Sequence, residues 1–126
     1  MICICTNFHD LNKASPKDNY PTPFIDQIID ACARSEFFSF MDGFSGYNHI
    51  QIKPKDQHKT ALICPWGTFA YKKMPFGLKN AGATFQREMN FSFHDNTSIV
   101  EPYLDDLPAH SCKRIDHPDY LCLIFE

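Results

Sequence analysis

Long apolar runs are missing from this sequence. No stretch approaches the roughly 18 to 20 residues that cross a bilayer as a helix, and the start shows no basic region leading into an apolar segment and a cleavage site. These absences argue against a membrane span and a secretory leader, so we expect an intracellular chain. An excess of positive charge is missing too. The formal net charge is -3, so a nucleic-acid role has to rest on local lysines rather than on the molecule's total charge. No C-x-x-C pair occurs among the cysteines at 3, 5, 32, 64, 112 and 122. That argues against zinc, including a site built from Cys3, Cys5 and a distant histidine, and leaves reduced thiols. Internal repeats, low-complexity tracts and an obvious linker are also absent.

What is there suits one small globular core: 126 residues, 44% hydrophobic and 14% aromatic. Ile2, Ile4 and the Phe8 to Asn12 segment predict an edge strand, followed by a loop from Ser15-Pro16 to Pro23. Thr22 and Pro23 suit an N-cap and first turn, and Phe24, Ile25, Ile28, Ile29 and Cys32 fall at helical spacing, predicting a helix packed under a sheet. Residues 37 to 42 predict a strand, a turn from Gly43 to Gly46 follows, and Ile50 and Ile52 bracket a second short extended segment. Pro65-Trp66-Gly67 sits between two short apolar runs and predicts a hairpin. Ala81, Phe85, Met89 and Phe93 share a helical face, and Asp116 can cap a last helix bearing Leu121, Ile124 and Phe125. Strands and helices mixed in this order predict an α+β fold, an antiparallel sheet with helices on one face.

Tyr103-Leu104-Asp105-Asp106, between Ile99-Val100 and Leu107, predicts a strand-turn-strand with two carboxylates at its tip. Adjacent aspartates are common in solvated turns. A third carboxylate, Asp42, ends the apolar run Phe37-Phe38-Ser39-Phe40-Met41. Two strand-end carboxylate sites meeting on neighbouring strands could hold a pair of divalent ions, which lie roughly 3.5 to 4 Å apart in phosphoryl-transfer sites.

The ordered set Phe8-His9-Asp10-Leu11-Asn12, Phe40-Met41-Asp42 through Ser45-Gly46-Tyr47, Met74-Pro75-Phe76-Gly77-Leu78-Lys79-Asn80-Ala81, Phe85-Gln86-Arg87 and Tyr103-Leu104-Asp105-Asp106 resembles the reverse transcriptase of gypsy-type LTR retrotransposons. The resemblance covers nearly the whole chain. It implies a polymerase palm with partial fingers over residues 1–126, from a polyprotein whose thumb, connection, RNase H and integrase parts lie elsewhere. It also implies RNA-directed DNA polymerase activity that adds dNTPs to a primer on an RNA or DNA template. Asp42, Asp105 and Asp106 would be the catalytic carboxylates holding two Mg²⁺ ions, with Mn²⁺ as the alternative. Tyr47 would lie under the sugar of the incoming nucleotide and exclude a 2′-hydroxyl, whereas the plainer reading is a tyrosine packed on the turn. Phe76 and Gly77 would pass beside the nucleotide, and Gln86 would support the site from behind rather than lie on an exposed helix face. Lys72, Lys73 and Lys79 would touch template or primer phosphates, although lysine clusters are usually solvated surface. Trp66 could stack on a base or simply pack in its hairpin.

The chain departs from the family pattern at several places. Cys3, His9 and Cys122 stand where the family has arginine, and the arginine at position 3 would grip the triphosphate, which a thiol cannot do. Gly82 replaces a common proline. Pro108 follows Asp106 by two residues, where a missing backbone donor is tolerated only at an edge or bulge and could distort the turn. Arginine lost to cysteine or histidine suggests a decayed element copy, so the alternative function is a non-catalytic relict acting at most as a nucleic-acid or protein binding module. A nuclease using the same three aspartates is a further rival, opposed by Tyr47 and the Met74 to Ala81 segment.

Overall fold

The structure, a computed structural model, describes residues 6–43 and 46–125. Ile2, Cys3, Ile4, Cys5, Phe44 and Ser45 lie outside the described residues. The order of elements is α1 (His9–Ala14), α2 (Ile25–Cys32), β1 (Phe37–Asp42), α3 (Pro54–Gln57), β2 (Leu62–Cys64), β3 (Gly67–Phe69), α4 (Ala81–Ser92), β4 (Asp106–Ser111) and α5 (His117–Phe125). Short 3-10 turns lie at Gly46–His49, His58–Thr60 and His94–Asn96. Helices and antiparallel strand pairs make an α+β fold, as the sequence predicts. The chain divides into two compact units, one of residues 1–19 and 45–83 and the other of residues 20–44 and 84–126. Among the described residues no helix is long and apolar enough to cross a membrane.

In the first unit the segment expected to be an edge strand is instead helical from His9 onward. Asp10 in the first turn and Lys13 in the last complement the helix dipole. Phe8, buried just before α1, meets Tyr71 edge-on with ring centroids 6.2 Å apart, which anchors the helix start. Pro54 begins α3, where its missing N–H costs nothing. Thr60 is buried because its hydroxyl donates to the Gln57 carbonyl at 2.7 Å and accepts the Tyr71 N–H at 3.0 Å. The predicted hairpin is present, pairing Leu62 with Phe69 and Cys64 with Gly67. Gly67 there adopts φ 140°, a conformation open to glycine alone at low cost. Ile50 and Ile52 flank a single bridge from Gln51 to Lys73, with backbone bonds from Met74 to Ile50 and from Ile52 to Lys72.

The second unit is built on the β1–β4 ladder, in register from Phe37 opposite Ser111 to Asp42 opposite Asp106. Along β1 burial alternates: Phe37, Ser39 and Met41 turn inward, while Phe38, Phe40 and Asp42 are exposed. Phe85, Ile99, Val100 and Ala109 are buried in this unit. The arm before the Asp-Asp pair is not the regular strand that was expected. It meets β4 only through bridges from Val100 to Ala109 and from Tyr103 to Asp106. Pro108 withholds a donor toward this arm, which keeps the ladder from running on. Helix α2 also differs from its expectation. It starts at Ile25 with Phe24 before it and no side-chain cap, so Thr22 does not cap it. Its apolar stripe is not covered: Ile25 and Ile29 are exposed, and an open groove of about 430 Å³ lies between α2 and Phe38, Phe40 and Pro108.

Candidate functional site

Tyr103 and Asp106 exchange both backbone bonds, at 2.9 and 3.0 Å, so Leu104 and Asp105 form the corner of a two-residue turn and Asp106 opens β4. Leu104 sits there at φ 53°, a left-handed conformation unfavourable for a side chain of its type. Gln86 holds it. This residue is fully buried on α4, its Oε1 accepts the Leu104 N–H at 2.7 Å, and its Nε2 donates to the Pro102 carbonyl at 2.9 Å and to Asn90 Oδ1 at 2.8 Å. One amide thus satisfies backbone groups on both sides of the turn, behind the aspartates, and is not an exposed helix residue.

The turn is fastened from β1 as well. Gly43, directly after Asp42, donates its N–H to the Asp105 carbonyl at 2.6 Å. A Cβ on Gly43 would come within 3.2 Å of that oxygen, so the close approach calls for glycine, a requirement sequence pattern did not single out. Asp42 and Asp106 are direct cross-strand partners. Partners in an antiparallel pair project on the same face, and two carboxylates so placed repel unless a cation lies between them. As hard oxygen donors, Asp42, Asp105 and Asp106 suit a Mg²⁺-like ion. Backbone register brings Asp42 and Asp106 together and sets Asp105 next to them at the corner. Among the described residues, however, no three His, Cys, Asp or Glu side chains are drawn into a metal-holding group.

Pro108 lies within β4 and not at an edge, since β1 flanks it on one side and residues 99–103 on the other. The side on which its donor is missing explains why it is tolerated. The Pro108 carbonyl accepts the Glu101 N–H at 3.2 Å and His110 donates to Ile99, so even-numbered residues of β4 face the 99–103 arm. The bond lost is the return bond to Glu101. The β1–β4 ladder that aligns Asp42 with Asp106 is untouched.

The remaining candidates belong to the other unit. Tyr47 is buried, its ring 4.9 Å from that of Phe76 at a tilt of 55°, while Phe76 is itself exposed. Gly77 takes φ 92°, and its carbonyl accepts Asn12 Nδ2 at 2.8 Å. Asn12 Oδ1 in turn accepts the Lys79 N–H at 2.7 Å, so one side chain of α1 fixes the loop on both sides of Leu78. Lys73 Nζ donates to the His49 carbonyl at 3.1 Å and Lys79 Nζ to the Ser15 carbonyl at 2.9 Å. These two ammonium groups pin loops, whereas Lys72 is simply exposed. Trp66 is 87% exposed and so does not pack in its hairpin.

Comparison with known proteins gives one consistent result. The family model described as "Reverse transcriptase (RNA-dependent DNA polymerase)" matches residues 1–126. An RNA-directed DNA polymerase homolog of Oenothera berteroana is 36% identical over 111 residues, covering 86% of this chain and 77% of that protein. A retrovirus-related Pol polyprotein from transposon 297 of Drosophila melanogaster is 32% identical over 130 residues, covering 97% of this chain. The chain spans only 12% of that polyprotein's length. Among solved structures, a foamy viral protease-reverse transcriptase in complex with an RNA/DNA hybrid superposes with a TM-score of 0.84 at 19% identity, over 94% of this chain and 16% of that one.

Proposed function

The chain belongs to the reverse transcriptase (RNA-dependent DNA polymerase) family, and from that premise we propose that it is the fingers and palm portion of an RNA-directed DNA polymerase. We assign it to a gypsy-type LTR retrotransposon polyprotein, with thumb, RNase H and integrase parts outside these residues. Its substrates are dNTPs and a primer annealed to an RNA or DNA template. The observation that carries this reading is the pairing of Asp42 with Asp106 across the ladder, beside a Leu104 corner held by Gln86.

In this reading Asp42, Asp105 and Asp106 hold divalent ions. Two Mg²⁺ or Mn²⁺ ions bound there would supply the charge stabilisation that nucleotidyl transfer requires. The chain's own residues fix where that happens. Gly43 and Gln86 hold the turn from two sides, so the carboxylates need little rearrangement. Tyr47, braced by Phe76, is assigned to the nucleotide sugar, and Gly77 to close backbone passage beside the nucleotide. Lys72, free of the loop-pinning bonds that occupy Lys73 and Lys79, is the best placed of the three lysines for a phosphate.

A second reading, a relict that no longer polymerises, is favoured by Cys3 and His9 standing where arginine is expected, whereas Pro108 leaves the ladder that aligns the aspartates intact. Primer extension on an RNA template with Mg²⁺ and dNTPs separates the two. Polymerisation by the unmodified chain that vanishes in Asp105→Asn/Asp106→Asn supports the polymerase. Extension only after Cys3→Arg/His9→Arg/Pro108→Ala supports the relict. Extension that persists without the two aspartates overturns the site assignment.

A further inference from the structure

The tip of the β2–β3 hairpin and the groove beneath α2 are both apolar and both open, but their surroundings carry opposite charge. Ile63 and Trp66 are each 87% exposed, and Phe69 is about half exposed. Lys59 precedes the hairpin and Lys72 and Lys73 follow it, all three exposed, and no Asp or Glu occurs from Gln57 to Arg87. Among the described residues only Lys59 of these three is ion-paired, to Asp56 at 2.6 Å. The groove, of about 430 Å³, has Ile29, Phe38, Phe40 and Pro108 in its lining. The exposed charged residues within two positions of that lining are Asp26, Asp30, Glu36, Asp42 and Asp106, against Arg34 alone. With the catalytic candidates Asp42 and Asp106 set aside, the balance is still acidic. The same asymmetry runs through the chain: the first unit holds eight lysines against three aspartates, and the second holds four cations against twelve carboxylates.

We propose that the groove of one molecule takes the hairpin tip of a second copy of this chain, with Trp66 entering beside Phe40 and the lysines meeting the acidic rim. Charge selects that occupant. Groove against groove would bring carboxylates together, and hairpin against hairpin would bring lysines together, whereas hairpin into groove sets opposite charges face to face. The contact is therefore heterologous, one surface of the first copy meeting a different surface of the second. An aromatic side chain covers roughly 150 to 250 Å² when buried, and a tryptophan in an apolar slot is a common anchor of an interface. A single hairpin tip covers less than the roughly 1,200 Å² of a stable interface, so the pairing is transient and depends on concentration. It does not rest on the polymerase reading.

Trp66 is the chain's one tryptophan, so its fluorescence reports on the hairpin directly. In the full chain its emission should move to the blue as the protein is concentrated, and less so at high salt, which screens the rim charges. Phe40→Lys spoils the groove and Trp66→Ala removes the anchor, both at exposed positions. Alone, each variant should self-associate about thirtyfold more weakly, the loss expected for one aromatic anchor. Mixed, they should pair again, because one supplies the hairpin and the other the groove. Phe40→Lys emission should then shift to the blue on addition of Trp66→Ala, which brings no tryptophan of its own, and sedimentation should show the mixed species. Asp30→Asn/Glu36→Gln, which leaves the apolar lining alone, should remove most of the salt dependence. No concentration-dependent shift in the unmodified chain, association that survives Trp66→Ala, or failure of the two variants to pair would overturn the proposal. A shift produced by a short oligothymidylate without self-association would assign the hairpin to a nucleic-acid strand and overturn it as well.

Discussion

Gln86 shows how much one side chain can settle at the turn. Its amide serves the Leu104 N–H and the Pro102 carbonyl from a fully buried position. Gln86→Ala would strand both groups, so urea unfolding should show a loss of about 3 kcal/mol. His110 makes a prediction of a different kind. Burial, and after it the charge of His117, hold its pKa below the ordinary histidine value of 6.5. The unfolded chain therefore takes up this proton first, and stability present above that value is lost as the pH falls below it. Glu101 has the opposite sign, since burial raises its pKa and the folded state holds its proton more tightly. Its contribution is present at low pH and declines as the pH rises through its range. Measured side by side, His110→Gln should show a shallower loss of stability on acidification than the unmodified chain, because the Glu101 contribution is common to both.

Strand β4 is held differently on its two sides. Toward β1 the ladder is complete, whereas toward residues 99–103 Pro108 withholds one bond from Glu101. Pro108→Val should return that bond, and hydrogen exchange should find a protected amide at position 108. Global stability should change by less than about 1 kcal/mol, because the new bond is offset by the added freedom of the unfolded chain. Helix α5 is tied to the same ladder by polar contacts. The Ser111 hydroxyl donates to the Lys113 carbonyl at 3.1 Å, so it accepts from His117 Nδ1, and Nε2 is left to accept the Ser39 hydroxyl at 2.9 Å. These bonds explain how Ser111 can be buried.

In the second unit, the exposed Ile29, Phe38 and Phe40 line one apolar groove. Phe40 is 82% exposed and its ring lies almost parallel to that of Phe38, with Ile29 and the groove beneath α2 beside them. An apolar patch of this kind favours association. Phe40→Lys should lower light scattering and shift gel filtration toward the monomer while leaving the far-UV circular dichroism unchanged. An unaltered association profile would count against this patch as its cause.

The sequence by itself determined the family, the α+β class, the β2–β3 hairpin, the strand ending at Asp42 and a turn beside the aspartate pair, although its corner is Leu104-Asp105 and Asp106 already belongs to β4. Each rests on local chemistry: alternation of apolar residues, proline and glycine at turns, and motifs short enough to read along the chain. Tertiary structure decided the rest. Phe8 to Asn12 looks extended by composition, yet Asn12 is drawn into a helix that fixes Gly77 and Lys79 more than sixty residues away. The stripe on α2 predicts burial, but periodicity records which residues share a face and not whether another element arrives to cover it. Pro108 reads as a disruption until the direction of its missing donor is known, and that direction depends on which strands lie on either side. The alignment of Asp42 with Asp106 is likewise a matter of register, set by backbone bonds between segments far apart in sequence.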